Sequence, residues 1–395
     1  MKAVILAAGE GRRLRPYTET MPKVMLPVAN KPILEYVIDA VTRSGIDEII
    51  IVVGYKKEVI MESFKDYTTV PITYVTQEQQ LGTSHALLQA KNYLKEQTFL
   101  VLSGDNIIDH QSIAMLTKEK ADYSLLIKEH PHPSKYGVVS IDKKELKEIV
   151  EKPKEDMGNF VSTGIYKLPF SIFDDIETFA SQGIYGLSFV IQSLLNRNEI
   201  ITTHQAKTWK DIVYPWDLIH VNETMLQHLS GSISGTVEKG VTLKGPVSIG
   251  KDTKVYAGCY IIGPVVIGEG CEIGPNACIF PSTAIGDNAV IHPFSEIRDS
   301  VLMDGVHLGS NSLLSHSIIG RDTSIHNSFS SIAGKTTVKI EDEYQKLSRM
   351  GAMIGEDCTI GSNVVVGPGI KIGRKCTVQS LTKIEKNIPS ETTVM

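Results

Sequence analysis

Residues 247–297 read VSIGKDTKVYAGCYIIGPVVIGEGCEIGPNACIFPSTAIGDNAVIHPFSEI. Ile249, Val255, Ile261, Ile267, Ile273, Ile279, Ile285, Ile291 and Ile297 recur in it at a strict spacing of six. An amphipathic helix repeats every 3.6 residues and an ordinary strand every two, so neither explains this period. A parallel β-helix does, because each aliphatic side chain stacks inside the coil on its equivalent one turn above. The phase slips after Ile297, reappears at Ile319 and Ile325, and returns as Ile354, Ile360, Val366, Ile372 and Val378. Glycine follows many of these positions, among them Gly250, Gly268, Gly286, Gly355 and Gly373. The polar, charged stretch SSIAGKTTVKIEDEYQKLSRMG interrupts the repeat, and an inserted loop leaving the coil is expected near 331–350.

Upstream, WDLIHVNETMLQHLSGSISG reads as a helix and then a Gly/Ser linker, which sets the domain boundary at residues 1–230 and 231–395. In the first part KAVILAA, DEIIIVVGY, PITYVTQ and TFLVLSGD read as strands, while PILEYVIDAVTRSG and SHALLQAKNYLKEQ carry apolar residues at helical spacing. This alternation predicts a Rossmann-like, mainly parallel α/β sheet covered on both faces. Ligands of such sheets bind beyond the carboxyl ends of the strands, where Gly9, Gly11 and Asp105 fall.

The 395 residues exceed one average domain, and 42% hydrophobic with 22% charged residues is an ordinary globular composition. A formal net charge of −5 argues against a general nucleic-acid binder. No apolar run approaches the ~18 residues of a membrane span, and MKAVILAAGEG lacks a cleavage region, so a cytoplasmic protein without membrane partners is expected. The five cysteines, Cys259, Cys271, Cys278, Cys358 and Cys376, form no Cys-x-x-Cys pair and read as small buried thiols. Trp209 and Trp216 read as core residues.

The second informative stretch is AAGEGRRLRPYTETMPK, residues 7–23. A glycine-rich turn after a strand presents backbone N–H groups to an anion, and Arg13 and Lys23 add mobile positive charge suited to a polyphosphate. The glycine spacing matches neither the Walker sequence nor the dinucleotide fingerprint. With MPKVMLPVANKPILEY, the string resembles the signature of the sugar-1-phosphate nucleotidylyltransferases: Gly-x-Gly-x-Arg-Leu, then Pro-Lys, then Lys-Pro-hydrophobic. QEQQLGTSHALLQA, LSGDNI, KYGVVSI, IVEKP and WKDIVYPWDL resemble the family's further motifs, in order, and the solenoid is similar to the left-handed β-helix appended to many members.

That resemblance implies the site. Ala8, Gly9, Gly11, Gln77, Gly82 and Thr83 would bind the nucleotide; Gly137, Glu151 and Ser162 the sugar; Asp105 and Asp211 a Mg²⁺ ion; and Arg13, Lys23 and Lys152 the phosphates during reaction. The implied reaction is attack of a sugar 1-phosphate oxygen on the α-phosphorus of UTP or dTTP, with release of pyrophosphate. A phosphate monoester needs no general base, so positioning and charge screening carry the catalysis. Val213 stands where the family usually continues Asp-x-Gly, which puts the geometry around Asp211 in question. Ser162 stands where members using N-acetylglucosamine 1-phosphate often have Asn, so both that sugar and glucose 1-phosphate stay open.

The overall layout also resembles bifunctional members that acetylate glucosamine 1-phosphate with acetyl-CoA. Ser310 stands at their catalytic histidine position, Leu313 at the tyrosine and Ala333 near the asparagine, while His307, His316 and His326 lie close by in sequence. Serine cannot act as a base near neutral pH, so this activity is expected to be absent, weak or rebuilt on a neighbouring histidine. A homotrimer or dimer of trimers is implied by the resemblance. The non-enzymatic alternative is a regulatory or assembly subunit, which would lose the basic signature and metal carboxylates that this chain retains.

Overall fold

KAVILA, Lys2–Ala7 (β1), is apolar on both faces and nearly all buried, as a central parallel strand covered on both sides must be. In the computed structural model, which describes residues 1–67, 69–95 and 97–395, it pairs in parallel with Glu48–Val53 (β2). β2 pairs in turn with Ile72–Thr76 (β3), and the other edge of β1 pairs with Phe99–Ser103 (β4), all in parallel. The helix Ile33–Arg43 connects β1 to β2 and buries Ile33, Leu34, Val37, Ile38 and Val41, the i, i+4 face expected for covering a sheet. The expected helix around residues 84–97 is shorter, ending at Gln89 before a 3₁₀ turn at Lys91–Tyr93.

Beyond β4 come a short strand Asn106–Ile108 (β5), then Tyr123–Glu129 (β6), Gly137–Asp142 (β7), Glu145–Glu151 (β8), Phe160–Leu168 (β9), Ile201–Gln205 (β10) and Trp209–Asp211 (β11). The nine-stranded sheet runs β3-β2-β1-β4-β9-β6-β10-β8-β7. It is parallel up to β4 and mixed beyond, because β9 returns antiparallel between β4 and β6. β5 and β11 form a separate antiparallel ribbon with Asp211 opposite Asn106.

By its internal contacts the chain forms two units. The first comprises Met1–Glu10, Met21–Met25 and Ile33–Asp211; the second comprises Gly11–Thr20, Leu26–Pro32 and Ile212–Met395. The second unit is built on three parallel sheets of eight, nine and eight short strands, the arrangement typical of a left-handed β-helix. Its register explains the phase of the repeat. Ile249, Ile267 and Ile285 stack at 18-residue intervals, then Ile285, Leu302 and Ile319 at 17, so one corner residue is missing from each of two successive coils. Ile319 stacks next on Ile354, the intervening chain having left the coil as an antiparallel hairpin, Gly334–Ile340 with Glu343–Met350. The expected loop is therefore an ordered two-stranded arm.

At the coil corners Asp252, Asn288, Asp322 and Asp357 hold left-handed φ values of 53–59°, and Gly270 and Gly305 occupy the same turn at +64° and +68°. Asp, Asn and Gly tolerate this region, which explains their recurrence. The stacked aliphatics from Ile249 to Val378 are buried, and Cys259, Cys271, Cys358 and Cys376 sit buried among them as free thiols, with Cys278 half-buried. Burial pushes the Cys358 thiol up to about 12, so this sulfur acts as a small hydrophobe. The helix Pro215–Leu226 belongs to this unit, and its fully buried Asn222 donates to the Ser282 carbonyl at 3.0 Å. No helix among the described residues is long and apolar enough to cross a membrane.

Candidate active site

The carboxyl ends of β1 and β4 lie side by side, Leu6 opposite Ser103, so the residues that follow each strand emerge together. Asp105 follows β4, and the β5–β11 ribbon brings Asp211 beside it from far along the chain. Lys23 Nζ joins them, 2.5 Å from Asp105 Oδ2 and 3.5 Å from Asp211 Oδ1. Ser103 Oγ donates to Asp105 Oδ1 at 2.6 Å. Burial alone would raise the Asp105 pKa, but the Lys23 charge and the hydrogen bonds from Lys23 and Ser103 outweigh it and hold the carboxyl below its ordinary range. Burial alone would lower the Lys23 pKa; the two carboxylates reverse that and hold it above the ordinary lysine value. Lys23 and Asp105 are therefore both charged throughout the physiological range.

Among the described residues no group of three or more His, Cys, Asp or Glu side chains gathers to hold a metal. The donor set still fits Mg²⁺. This ion takes hard oxygen ligands and typically uses one or two carboxylates together with substrate phosphates. Val213 is not among the residues with positive φ, so the Asp-x-Gly glycine is not required here. The Val213 and Tyr214 amides instead donate to Asp217 Oδ2 at 2.8 and 2.7 Å.

Asp211 also lines a cavity of about 210 Å³, together with Gly137, Glu151, Ser162, Thr83, Asn106 and Trp209. This is smaller than the roughly 300–1,000 Å³ of drug-sized sites and suits a ligand of one sugar ring. β7 and β8 pair Gly137 directly with Glu151, and a Cβ at residue 137 would lie 3.2 Å from Glu151 Oε2, so glycine leaves the carboxylate its place. Ser162 Oγ is 3.0 Å from the hydroxyl of Tyr166, which burial pushes up to about 12 and keeps neutral. Two buried wall atoms, Trp209 Nε1 and Asn106 Oδ1, have no hydrogen-bond partner among the described residues.

Trp209 is buried as expected, yet it also faces this cavity. The available signal was its position two residues before Asp211 on one strand, which puts both on the same face. Asn106 was legible only through the strand pairing that sets it opposite Asp211.

Gln77 is buried, its Nε2 3.3 Å from the Gly82 carbonyl oxygen and 2.9 Å from His85 Nδ1. A side chain at Gly82 would collide with the Tyr185 backbone, and Thr83 Oγ1 accepts from the Leu187 amide at 2.9 Å. Ala8 is anchored by its carbonyl, which accepts from the Tyr55 amide at 3.1 Å, while the space at Gly9 is open. These residues come together in the first unit. Lys152 is exposed at the end of β8 with φ +47° and lies outside the residues lining the sugar-sized cavity.

Gly11 and Arg13 belong to the second unit. Gly11 has φ +72°, and Arg13 Nε lies 3.3 Å from Glu341 Oε2 on the hairpin. In the same unit His307 and His326 line a cleft of about 200 Å³ with His292, Gly309 and Ser362. His316 is elsewhere, its Nδ1 3.4 Å from Asp299 Oδ2, and burial pushes its pKa down. The Ser310 amide donates to Asn327 Oδ1 at 2.9 Å.

The chain was compared with known proteins. The Nucleotidyl transferase family matches residues 2–228, the GMPPB C-terminal domain matches 261–345, and the bacterial transferase hexapeptide (six repeats) matches 351–386. A protein of Methanococcus vannielii named "Bifunctional protein GlmU" is 33% identical over all of this chain and 97% of its own length. The "Bifunctional sugar-1-phosphate nucleotidylyltransferase/acetyltransferase" of Sulfurisphaera tokodaii is 33% identical over 94% of each chain. Among solved structures, a UDP-glucose pyrophosphorylase of Acinetobacter baumannii superposes with a TM-score of 0.51 at 24% identity, over 58% of this chain and 94% of that one, a likeness of fold. With its family match spanning more than half of the sequence and relatives aligned from end to end, this chain belongs to the nucleotidyl transferase family.

Proposed function

We propose that the protein is a Mg²⁺-dependent sugar-1-phosphate nucleotidylyltransferase acting with a pyrimidine nucleoside triphosphate, UTP or dTTP. The observation that carries this reading is that Asp211 belongs both to the Lys23–Asp105 charge cluster and to the sugar-sized cavity. A charged centre for phosphates thus adjoins a pocket that suits one sugar ring. In the reaction an oxygen of the sugar 1-phosphate forms a bond to the α-phosphorus, and the bond from that phosphorus to the β-phosphate oxygen breaks, releasing pyrophosphate. Lys23 draws the two anionic reactants together and offsets charge on the phosphates in the transition state. Gly9 gives a phosphate close access to the backbone, and Glu151 accepts hydrogen bonds from sugar hydroxyls. Mg²⁺ held by Asp105 and Asp211 would screen the triphosphate. The test is pyrophosphate release from UTP, dTTP, ATP and GTP with glucose 1-phosphate and N-acetylglucosamine 1-phosphate. Turnover only with purine triphosphates, or with no sugar phosphate, would overturn the assignment.

A second reading, acetyl transfer to glucosamine 1-phosphate, draws on the cleft lined by His307 and His326. The amine must lose a proton as it attacks the thioester, and Ser310 cannot take it. If the activity is present, the base is one of these two histidines. Thiol release from acetyl-CoA should then fall by roughly 10²–10⁴-fold in His307→Ala or His326→Ala, and His316→Ala should leave it unchanged. Robust release in the double variant would exclude a base rebuilt on this cleft.

A further inference from the structure

Gln77 stands where a parallel sheet takes its ligands. It follows β3 directly, and its backbone amide donates at 2.8 Å to the carbonyl of Val53, the last residue of β2. The turn after it leads through Gly82 to Thr83, which lines the sugar-sized cavity. The side chain of Gln77 is buried, and its Nε2 meets two groups: the Gly82 carbonyl oxygen at 3.3 Å and His85 Nδ1 at 2.9 Å. Its Oε1 takes no hydrogen bond from any described residue.

These contacts fix which way the amide faces. A carbonyl oxygen only accepts, so the atom turned to Gly82 is the amide nitrogen. His85 Nδ1 must then accept the second N–H, which places the imidazole proton on Nε2 and leaves the Gln77 oxygen on offer. The contact of His85 Nε2 with Gln89 Nε2 is longer, 3.4 Å, and the 2.9 Å bond to Gln77 decides the tautomer. His85 is itself held. It sits on the helix Thr83–Gln89, whose Ser84 amide donates to the Tyr185 carbonyl at 2.9 Å. Its ring meets Tyr185 edge to face with centroids 5.7 Å apart, and its carbonyl accepts from Gln89 Nε2 at 3.1 Å. All of these residues belong to the first unit.

We infer that His85 is the positioning residue that turns the Gln77 oxygen toward the base and so sets a preference for uracil or thymine over cytosine. This rests on the reading of Gln77 as a ligand of the nucleotide base. Uracil and thymine carry a hydrogen on N3 and need an acceptor opposite it, whereas cytosine has a bare N3 and needs a donor. An amide can serve either, because its oxygen and nitrogen are nearly the same size. Without the imidazole acceptor only the 3.3 Å contact with Gly82 restrains it, and it can turn its N–H groups to the ligand. The choice between the two bases is thus made one residue back from the ligand.

The test is calorimetric titration of the full chain with UTP, dTTP and CTP in the presence of Mg²⁺. The parent chain should bind UTP and dTTP about 10- to 100-fold more tightly than CTP. His85→Phe keeps a ring against Tyr185 but offers no acceptor; it should raise the UTP Kd about 3- to 10-fold and leave the CTP Kd unchanged or lower. His85→Asn puts an oxygen where the Nδ1 was and should restore most of the preference. In a Gln77→Leu background, His85→Phe should change the ratio no further. A ratio of UTP to CTP affinity that stays at the parent value in His85→Phe, while Gln77→Leu abolishes it, would overturn the role of His85. So would an equal rise of both Kd values with a lower melting temperature, which is the mark of a purely structural side chain. If Gln77→Leu keeps the parent ratio, the reading of Gln77 falls and this inference with it. The titrations need no turnover, so a chain that prefers UTP but releases no pyrophosphate with any sugar phosphate would overturn the proposed function and leave the role of His85 standing.

Discussion

Asp105→Asn should lower turnover by roughly 10²–10³-fold, the loss expected when a preorganised charge at a phosphoryl-transfer centre is removed. The amide keeps the shape and can still accept from Ser103, so circular dichroism should be unchanged. It cannot offer an anionic oxygen to a hard cation. Near-normal turnover in this variant would remove Asp105 from the mechanism. The same substitution should alter the pH dependence of stability in one limb only. The folded chain holds the Asp105 carboxyl below 3.8, so its contribution is present above that value and is lost as the pH falls through the folded pKa. Lys23 is held above 10.5, so its contribution is present below that value and is lost as the pH rises through the folded pKa. Melting temperature should therefore be flat with respect to this cluster from about pH 5 to 10. Asp105→Asn should flatten the acid limb below that window.

On the proposed function, Lys23→Met should reduce kcat/KM about 100-fold by removing the cation that sits between the two carboxylates. It also removes the ammonium group that Asp105 and Asp211 share. The variant should melt lower than the parent chain, and added Mg²⁺ should recover more stability in it than in the parent, since the ion would then replace the missing cation. Differential scanning calorimetry with and without Mg²⁺ reads this independently of turnover. An unchanged kcat/KM together with an identical response to Mg²⁺ would show that Lys23 is a surface lysine that happens to lie near two acids.

The β-helix was legible because its order is local and repeated. Each coil restates the same six-residue rule, and a single residue lost at a corner shows as a phase slip after Ile297. The parallel half of the sheet was legible for a similar reason, since β1, β2 and β4 each carry an apolar run bounded by turn residues. The hairpin was harder. Gly334–Ile340 alternates in the structure between a half-buried face and an exposed one, but the inward positions Gly334 and Thr336 are not apolar, and in Glu343–Met350 only Met350 is buried.

From the sequence came the parts of the site: which residue types, in which order, and that a strand-end aspartate and a basic glycine-rich turn suit phosphate chemistry. Their arrangement came from tertiary structure. Lys23 meets Asp105 across 82 positions of chain and Asp211 across 188. Trp209 and Asn106 become pocket residues only through the β5–β11 register, and Arg13 turns toward Glu341, 328 positions away. Local propensity and period carry no information about such pairings. They depend on which strand edges meet and in what register, and that is decided by the burial of whole faces rather than by any residue's immediate neighbours.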